Sequence, residues 1–361
     1  MLGWRKLKGL VGLDIGSSAI KAVELSRYRN GYELVNLALE ELGPDGVADG
    51  IIKDPAAIAL AIGKLFKENS IKTRNVAVAV AGHSVIVKKI AVTANNEAEL
   101  VDAIPNEAQQ QHIQLDMNDV RLSYQVLGRP SESVVGRPNP SNTFEVLLVA
   151  VKREKITNYA EVLQQAGVVP VVMDIDAFAL ENAFEVSYEP LPDLVVALLN
   201  IGASIMNINI IRGGEPLFTR DVSVGGNQYT DALEKEFGLS FQDAEMLKSG
   251  QQLGGVSPEA RAIHLRSVSE IMLLEIQKTF DFFRHTTSVE NIQQVYLAGG
   301  SARVEGLADL LKQDLSIPVE IMNPFRKIRI DSSKFDLSYV GELEPRMSVA
   351  TGLALRAFDL A

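Results

Sequence analysis

Asp14 and Lys21 flank a turn in the segment Leu13-Asp14-Ile15-Gly16-Ser17-Ser18-Ala19-Ile20-Lys21. A two-residue turn at Ser17-Ser18 pairs Gly16 with Ala19, Ile15 with Ile20 and Asp14 with Lys21, and residues directly opposite in a ladder share a face. A carboxylate and an ammonium then stand side by side beside a turn whose successive amides form an anion-binding concavity. Gly16 lets a phosphate approach the backbone, Ser17 and Ser18 add hydroxyl donors, and Lys21 supplies positive charge for a β- or γ-phosphate. Asp14 cannot face phosphate directly. It is placed to hold Mg²⁺ through water, since Mg²⁺ keeps much of its hydration. Taken alone, the pair reads equally well as an ordinary cross-strand ion pair.

The pattern returns near the middle of the chain, where Leu199-Asn200-Ile201-Gly202-Ala203-Ser204 matches Leu13 to Ser18. An internal repeat governs the architecture, and two copies make two lobes related by pseudo-symmetry. In the second copy Asn200 stands for the acid and Asn207 for the lysine, while the backbone donors of Gly202, Ala203 and Ser204 do not depend on those side chains. Two such turns facing each other clamp a polyphosphate. Gly225-Gly226 ends the second repeat and offers bare backbone to phosphate. Ala298-Gly299-Gly300-Ser301 lets an adenine or ribose lie against backbone. Glu245 and Lys248, one helical turn apart, share a face that could meet ribose hydroxyls, although such pairs are more often solvated.

The elements that must hold these residues follow from periodicity and turn signals. Each copy reads as a three-stranded meander: Leu10–Ile15, Ala19–Ser26 and Tyr32–Leu39, then Val195–Ile201, Ile205–Arg212 and Leu217–Val224. Between them, residues 75–168 read as an inserted α+β subdomain, with strands at Val76–Val80, Val85–Val92 and Phe144–Val151. Its helices are Glu97–Gln111, which Pro105 must kink or divide, and Glu154–Gln165. Gly128 to Thr143 reads as an exposed loop. Helices follow the second meander, including a long one from Pro258 to His285, then a strand at Gln293–Ala298, and the chain ends in a helical run.

Composition narrows the function. The 361 residues are 47% hydrophobic and 22% charged, enough for two or three cored domains. A net charge of −11 argues against nucleic acid as partner. The lack of cysteine excludes disulfides and thiolate chemistry and fits a cytoplasmic protein. His83, His112, His264 and His285 show no metal-ligand spacing. The longest apolar stretch, Leu194 to Ile211, is interrupted by Asn200, Ser204, Asn207 and Asn209, so it reads as core and not as a membrane span. No signal peptide is visible, and the basic start Trp4-Arg5-Lys6-Leu7-Lys8 reads as either a lipid contact or a free terminus.

These motifs, in this order, resemble the actin and sugar-kinase superfamily. Connecting helices match at Asp176 to Ala183 and Ser348 to Arg356, and the adenosine motif is Val295 to Ser301. The insertion resembles that of the division protein FtsA. The chain is more similar to the PilM family of type IV pilus assembly proteins, through Leu13 to Gly16 with Lys21 to Leu25, Ala166 to Asp174, Lys278 to Arg284, Asn323-Pro324-Phe325 and Val349 to Arg356. The resemblance implies an α/β, actin-like fold of two duplicated ribonuclease H-like lobes with an inserted SHS2-type α+β subdomain. The first lobe spans 1–74 and continues in 169–190 and 325–361, the insert spans 75–168, and the second lobe spans 191–324.

It implies ATP and Mg as ligands, with Asp14 and Asp176 as the acids of at most a slow ATPase. It also implies a cytoplasmic scaffold at the inner face of the inner membrane. There the N-terminal tail of a PilN-like membrane protein would dock in a groove formed by the insert and first lobe, with self-association left open. Two departures stand out. Asn200 replaces the usual second-motif Asp, and Ala103 to Glu107 and Gln110 to Gln114 replace the insert's usual aromatic and Arg residues with their Pro-Phe-Pro turn. An FtsA-like filament former and a sugar-kinase-type phosphotransferase using Asp174 or Asp176 remain alternatives.

Overall fold

The hairpin at Ser17-Ser18 forms in the expected register. In the computed structural model, which describes residues 9–110, 116, 118–128, 142–287 and 291–359, Val11–Ile15 runs antiparallel to Ala19–Tyr28, with Asp14 opposite Lys21. The basic start around Trp4 and most of the loop after Gly128 lie outside the described residues. Gly31–Glu41 completes the meander. On the other side of Val11–Ile15 come two parallel strands, Asn75–Val80 and then Val169–Ile175. Ile328–Arg329 pairs with Gly31–Glu41 at the far edge. Val11, Leu13, Val76, Ala77 and Val78 are fully buried, as expected for parallel strands covered on both faces.

The second sheet repeats this plan. Val195–Ile201, Met206–Arg212 and Glu215–Val222 form the meander, with Asn200 opposite Asn207. Gln294–Ala298 and then Val319–Ile321 add in parallel beside Val195–Ile201. Both sheets thus run third, second and first meander strand, followed by two parallel strands. The duplication extends from the turns to whole sheets, as the actin-like fold requires.

Helices Asp176–Tyr188 and Ser348–Asp359 pack tightly, because small residues face one another. A Cβ on Gly352 would lie 1.6 Å from the Ala179 carbonyl oxygen, and one on Gly12 would lie 2.0 Å from that of Ala350. The 29-residue helix Pro258–Thr286 starts with Ser257 accepting the Ala260 amide at 3.1 Å and proline at its first position, a strong start signal. Leu265, Met272, Ile276, Phe280 and Phe283 of this helix build the second lobe's core with Ile208, Ile210 and Leu297.

The chain divides into two compact units, Met1–Gly82 with Val162–Ala361, and His83–Glu161. The insert is therefore shorter than residues 75–168. Asn75–Val80 had the composition of an insert strand, but it sits inside the first sheet between Val11–Ile15 and Val169–Ile175. Within the insert, Thr143–Lys152 is the middle strand between Val85–Thr93 and Val120–Gly128. Helix Glu97–Gln110 covers one face, packing Leu100, Ile104 and Ala108 on Ile90, Val92, Phe144, Val146 and Leu148. It is capped reciprocally: Asn96 Oδ1 accepts the Glu99 amide at 3.2 Å, and Glu99 accepts the Asn95 amide at 3.0 Å. Pro105 neither divides nor ends this helix. It lies on the solvent side with Val101 four residues earlier, also exposed, so the carbonyl it leaves without a donor can turn to water.

Candidate functional site

The two turns meet. Ser17 Oγ and Ser204 Oγ lie 2.6 Å apart, so the tip of each repeat abuts the other. Each turn is tight: Gly16 donates to the Ala19 carbonyl at 3.1 Å, and Gly202 to that of Ile205 at 2.9 Å. Among the described residues no backbone carbonyl takes the amides of Ser17, Ser18, Ala203 or Ser204. Lys21 Nζ donates to Asp14 Oδ2 at 2.9 Å, with both side chains 13% exposed. A Cβ on Gly16 would come within 2.7 Å of that ammonium. The bare backbone of Gly16 therefore lets the cation lie directly over the turn.

The second lobe's candidate pieces converge on the same turn. Gly226 donates to the Gly202 carbonyl and Asn227 to that of Ala203, both at 2.8 Å. A Cβ on Gly225 would lie 2.5 Å from the Ala203 oxygen, and one on Gly226 would lie 2.4 Å from Ser301 Oγ. Ser301 Oγ reaches the Gly202 carbonyl at 3.4 Å. Gly299 has φ +87°, and a Cβ there would lie 2.4 Å from the Ile201 oxygen, so glycine is needed on both counts. Lys248 is 15% exposed and donates to Glu245 at 2.5 Å, to Thr230 at 3.0 Å and to the Gly226 carbonyl at 3.3 Å. Thr230 also donates to Glu245. Glu245 and Lys248, on helix Phe241–Lys248, are thus tied to the Gly225-Gly226 loop through the lysine.

Asp176 opens the connecting helix at the carboxyl end of Val169–Ile175. The parallel registers Leu13–Val78 and Val78–Met173 put it level with the first turn, two strand spacings or about 10 Å away. Asp174 is otherwise occupied: Arg356 binds its Oδ2 at 2.7 Å and the Ile175 amide its Oδ1 at 2.9 Å. It is not available as a base for a phosphotransferase.

Sequence reasoning missed Asp221 and Arg346. Asn200 donates to Asn207 at 2.9 Å, and Asn207 donates to Asp221 Oδ1 at 2.7 Å. Asp221 Oδ2 accepts the Gly82 amide at 2.5 Å. The acid absent from Asn200 is thus found two strands away, but both its oxygens are engaged. The alternation of the third meander strand was the available signal, since Asp221 shares the face of Asn207. Arg346 binds Glu41 at 2.9 Å, and a Cβ on Gly300 would lie 3.9 Å from its side chain. It places a cation beside Gly300.

This donor set fits a magnesium-bound polyphosphate. Paired turn amides, hydroxyls and one lysine suit the anion. One carboxylate, Asp14, with Lys21 on its Oδ2, suits a metal that takes its other ligands from phosphate and water. No group of three or more His, Cys, Asp or Glu that could hold a metal ion is present among the described residues.

The sequence profile of the type IV pilus assembly protein PilM family matches residues 12–358. The chain belongs to the PilM family. Among solved structures, the PilM-PilN type IV pilus biogenesis complex is similar at 30% identity and TM-score 0.84, covering 98% of this chain and 99% of that one. MreB5 of Spiroplasma citri bound to ADP shares the fold at 14% identity and TM-score 0.53, covering 96% of this chain and 95% of that one. The cell division protein FtsA of Staphylococcus epidermidis is 21% identical over 355 residues, 87% of this chain and 74% of that protein. With membership in the PilM family, type IV pilus assembly is the process this chain serves, and the actin-like fold read from the hairpins is confirmed. No described helix is long and apolar enough to cross a membrane.

Proposed function

We propose that this PilM-family protein binds ATP with Mg²⁺ between its two hairpins. We further propose that it acts as a cytoplasmic scaffold at the inner face of the inner membrane, docking the N-terminal tail of a PilN-like membrane protein. The observation that carries the nucleotide reading is the meeting of the two turns at Ser17 and Ser204, with Lys21 laid over Gly16. When bound, Mg²⁺ supplies charge neutralisation for the phosphates. Asp14 would hold it, Lys21 and the turn amides would hold the phosphate oxygens, and the glycines at 225, 226, 299 and 300 would give the nucleoside a backbone wall. ADP in the related fold supports this reading.

Turnover is slow. Asn200 gives an amide where the first hairpin gives a carboxylate, and Asp221 is held by Asn207 and Gly82. Asp14, bound by Lys21, and Asp176, about 10 Å from the first turn, are the acids left to orient water.

The partner docks on the inserted unit. None of the nucleotide-site residues lies in His83–Glu161, so nucleotide binding does not account for that unit. Its sheet has two outer strands, Val85–Thr93 and Val120–Gly128, and an outer strand accepts an extended peptide by adding one more strand. PilN in the related complex supports the identity of the partner. The test is titration of synthetic N-terminal tails of inner-membrane pilus proteins into the full chain with and without Mg-ATP, read by amide hydrogen exchange. The expected result is capture of a tail with slowed exchange in one of those two strands. Capture that leaves residues 83–161 unchanged, or no capture under either condition, refutes the docking reading.

A further inference from the structure

Three residues stand at one level across the second meander. Asn200 lies opposite Asn207, and Asn207 lies opposite Asp221, so their side chains share a face of the sheet. The first meander has Asp14, Lys21 and Leu39 at the matching places. Asp221 therefore has no polar counterpart in the first copy, and it enters where Asn207 takes the place of Lys21.

The chemistry of the row fixes which way each amide faces. An ionised carboxylate only accepts, and an Asn side chain has one donor end and one acceptor end. Asp221 Oδ2 takes the Gly82 amide, and its Oδ1 takes Asn207 Nδ2 at 2.7 Å. With its donor end spent, Asn207 offers Oδ1 to Asn200, which answers with Nδ2 at 2.9 Å. Asn200 Oδ1 is thereby turned out of the row. It is neither buried nor donated to by any described residue. A Cβ on Gly299 would lie 2.8 Å from it, so the glycine leaves this oxygen uncovered. Asp14 is matched in this: Lys21 holds its Oδ2, and no described residue donates to its Oδ1. Each turn thus presents one open oxygen from the same place in its ladder, charged in the first copy and neutral in the second.

We propose that Asp221 is a positioning residue for the cation of the nucleotide site. Through Asn207 it holds Asn200 with the carbonyl oxygen outward, as a neutral counterpart of Asp14 Oδ1 for the hydration shell of Mg²⁺. This role rests on the reading that the two turns hold Mg-ATP. A row of this kind ends on a single acid. Acids at both 200 and 221 would leave Asn207 with one donor end for two carboxylates, so the carboxylate at 221 goes with the amide at 200.

The test moves the acid along the row in the full chain. Asp221→Asn can keep every bond of the row by reversing all three amides, so the melting midpoint of nucleotide-free protein changes little, but Asn200 then turns Nδ2 outward. In the parent, Mg²⁺ tightens ATP binding, measured by calorimetry against ATP in EDTA. Asp221→Asn loses about tenfold of that gain, the scale of one hydrogen bond to a charged group, and binds ATP in EDTA no more weakly than the parent. Asn200→Asp alone lowers the midpoint. Adding Asp221→Asn to it restores both the midpoint and the Mg²⁺ gain, which a residue acting only on stability would not do. A full Mg²⁺ gain in Asp221→Asn, additive midpoint losses in the double variant, or a parent that binds ATP equally with and without Mg²⁺ overturns the proposal. A parent that binds no nucleotide refutes the Mg-ATP reading and the cation role with it, whereas the midpoints of nucleotide-free protein support or overturn the amide order on their own.

Discussion

Gly352→Ala and Gly63→Ala make the same chemical change inside two helices, and the structure assigns them opposite signs. Intrinsic propensity favours alanine at both sites by roughly 1 kcal/mol. At Gly63, in helix Pro55–Glu68, the new methyl meets nothing within 4 Å, so that gain stands. At Gly352 the methyl would lie 1.6 Å from the Ala179 carbonyl oxygen and 2.5 Å from its carbonyl carbon. Both are backbone atoms of the opposing helix, which cannot swing aside as a side chain can. The connecting helices must separate by about 1.5 Å or more, and contacts among buried Ala179, Ala350 and Ala354 loosen with them. Overpacking typically costs 1–3 kcal/mol. With backbone on the receiving side, about 3 kcal/mol or more is expected, for a net loss near 2 kcal/mol after the helix gain. In thermal denaturation Gly352→Ala lowers the midpoint by several degrees and Gly63→Ala raises it slightly. A Gly352→Ala protein as stable as its parent refutes the view that these helices are held at their closest approach.

Asp221→Ala leaves the Gly82 amide and the buried Asn207 amide without an acceptor, each at about 1–3 kcal/mol, so its midpoint falls further than that of Asp221→Asn; equal losses in denaturant unfolding count against the relay. Glu181 is held protonated in the fold up to about 8, first by burial and then by the charge of Glu185, whereas in the unfolded chain it ionises near 4.5. The folded state binds more protons across that window, so stability falls as pH rises through it and levels off above about 8. Glu181→Gln removes the slope, with a relative gain on the order of 4 kcal/mol at the alkaline end; urea midpoints that shift equally at about pH 5 and about pH 9 refute this. Mg-ATP at 100 times its dissociation constant stabilises the parent by about 2.7 kcal/mol, and Lys21→Ala loses most of that shift in nucleotide-free protein. Hydrolysis runs well below the roughly 10 s⁻¹ typical of enzymes, and a purified chain that reaches that rate, with Asp14→Ala abolishing it, sinks the slow-turnover reading.

The hairpins were legible because everything that defines them is local. A two-residue turn fixes its own register, so Asp14 facing Lys21 and Asn200 facing Asn207 followed from spacing alone. The insert's start was not legible. The run Asn75–Val80 shows that a strand exists but carries no mark of which sheet takes it, and that choice is made by partners far away in sequence. Asp221 was missed for a related reason. Its role appears only when the third meander strand is laid beside the second and when Gly82, distant in the chain, comes to its other oxygen. Glu245 and Lys248 look like any helical ion pair until the Gly226 carbonyl is seen to accept from the lysine. Pro105 misled because the proline penalty assumes a carbonyl shut away from water, and Val101 is exposed.

The strand order of the two sheets recasts the insert as an oversized loop. In the second lobe, Gln294–Ala298 passes to its parallel neighbour Val319–Ile321 through a short connection, the 3-10 turn Gly300–Arg303 and the helix Leu307–Leu315. In the first lobe, Asn75–Val80 passes to its parallel neighbour Val169–Ile175 through the whole of His83–Glu161, returning along helix Arg153–Gln165. The connection between adjacent parallel strands is the one place in such a sheet where chain length is free, because the strands' hydrogen bonds do not depend on what joins them. The unit His83–Glu161 is therefore an elaborated crossover between two neighbouring strands. Its length can differ from that of the 299–318 crossover without any strand of either sheet changing its neighbour.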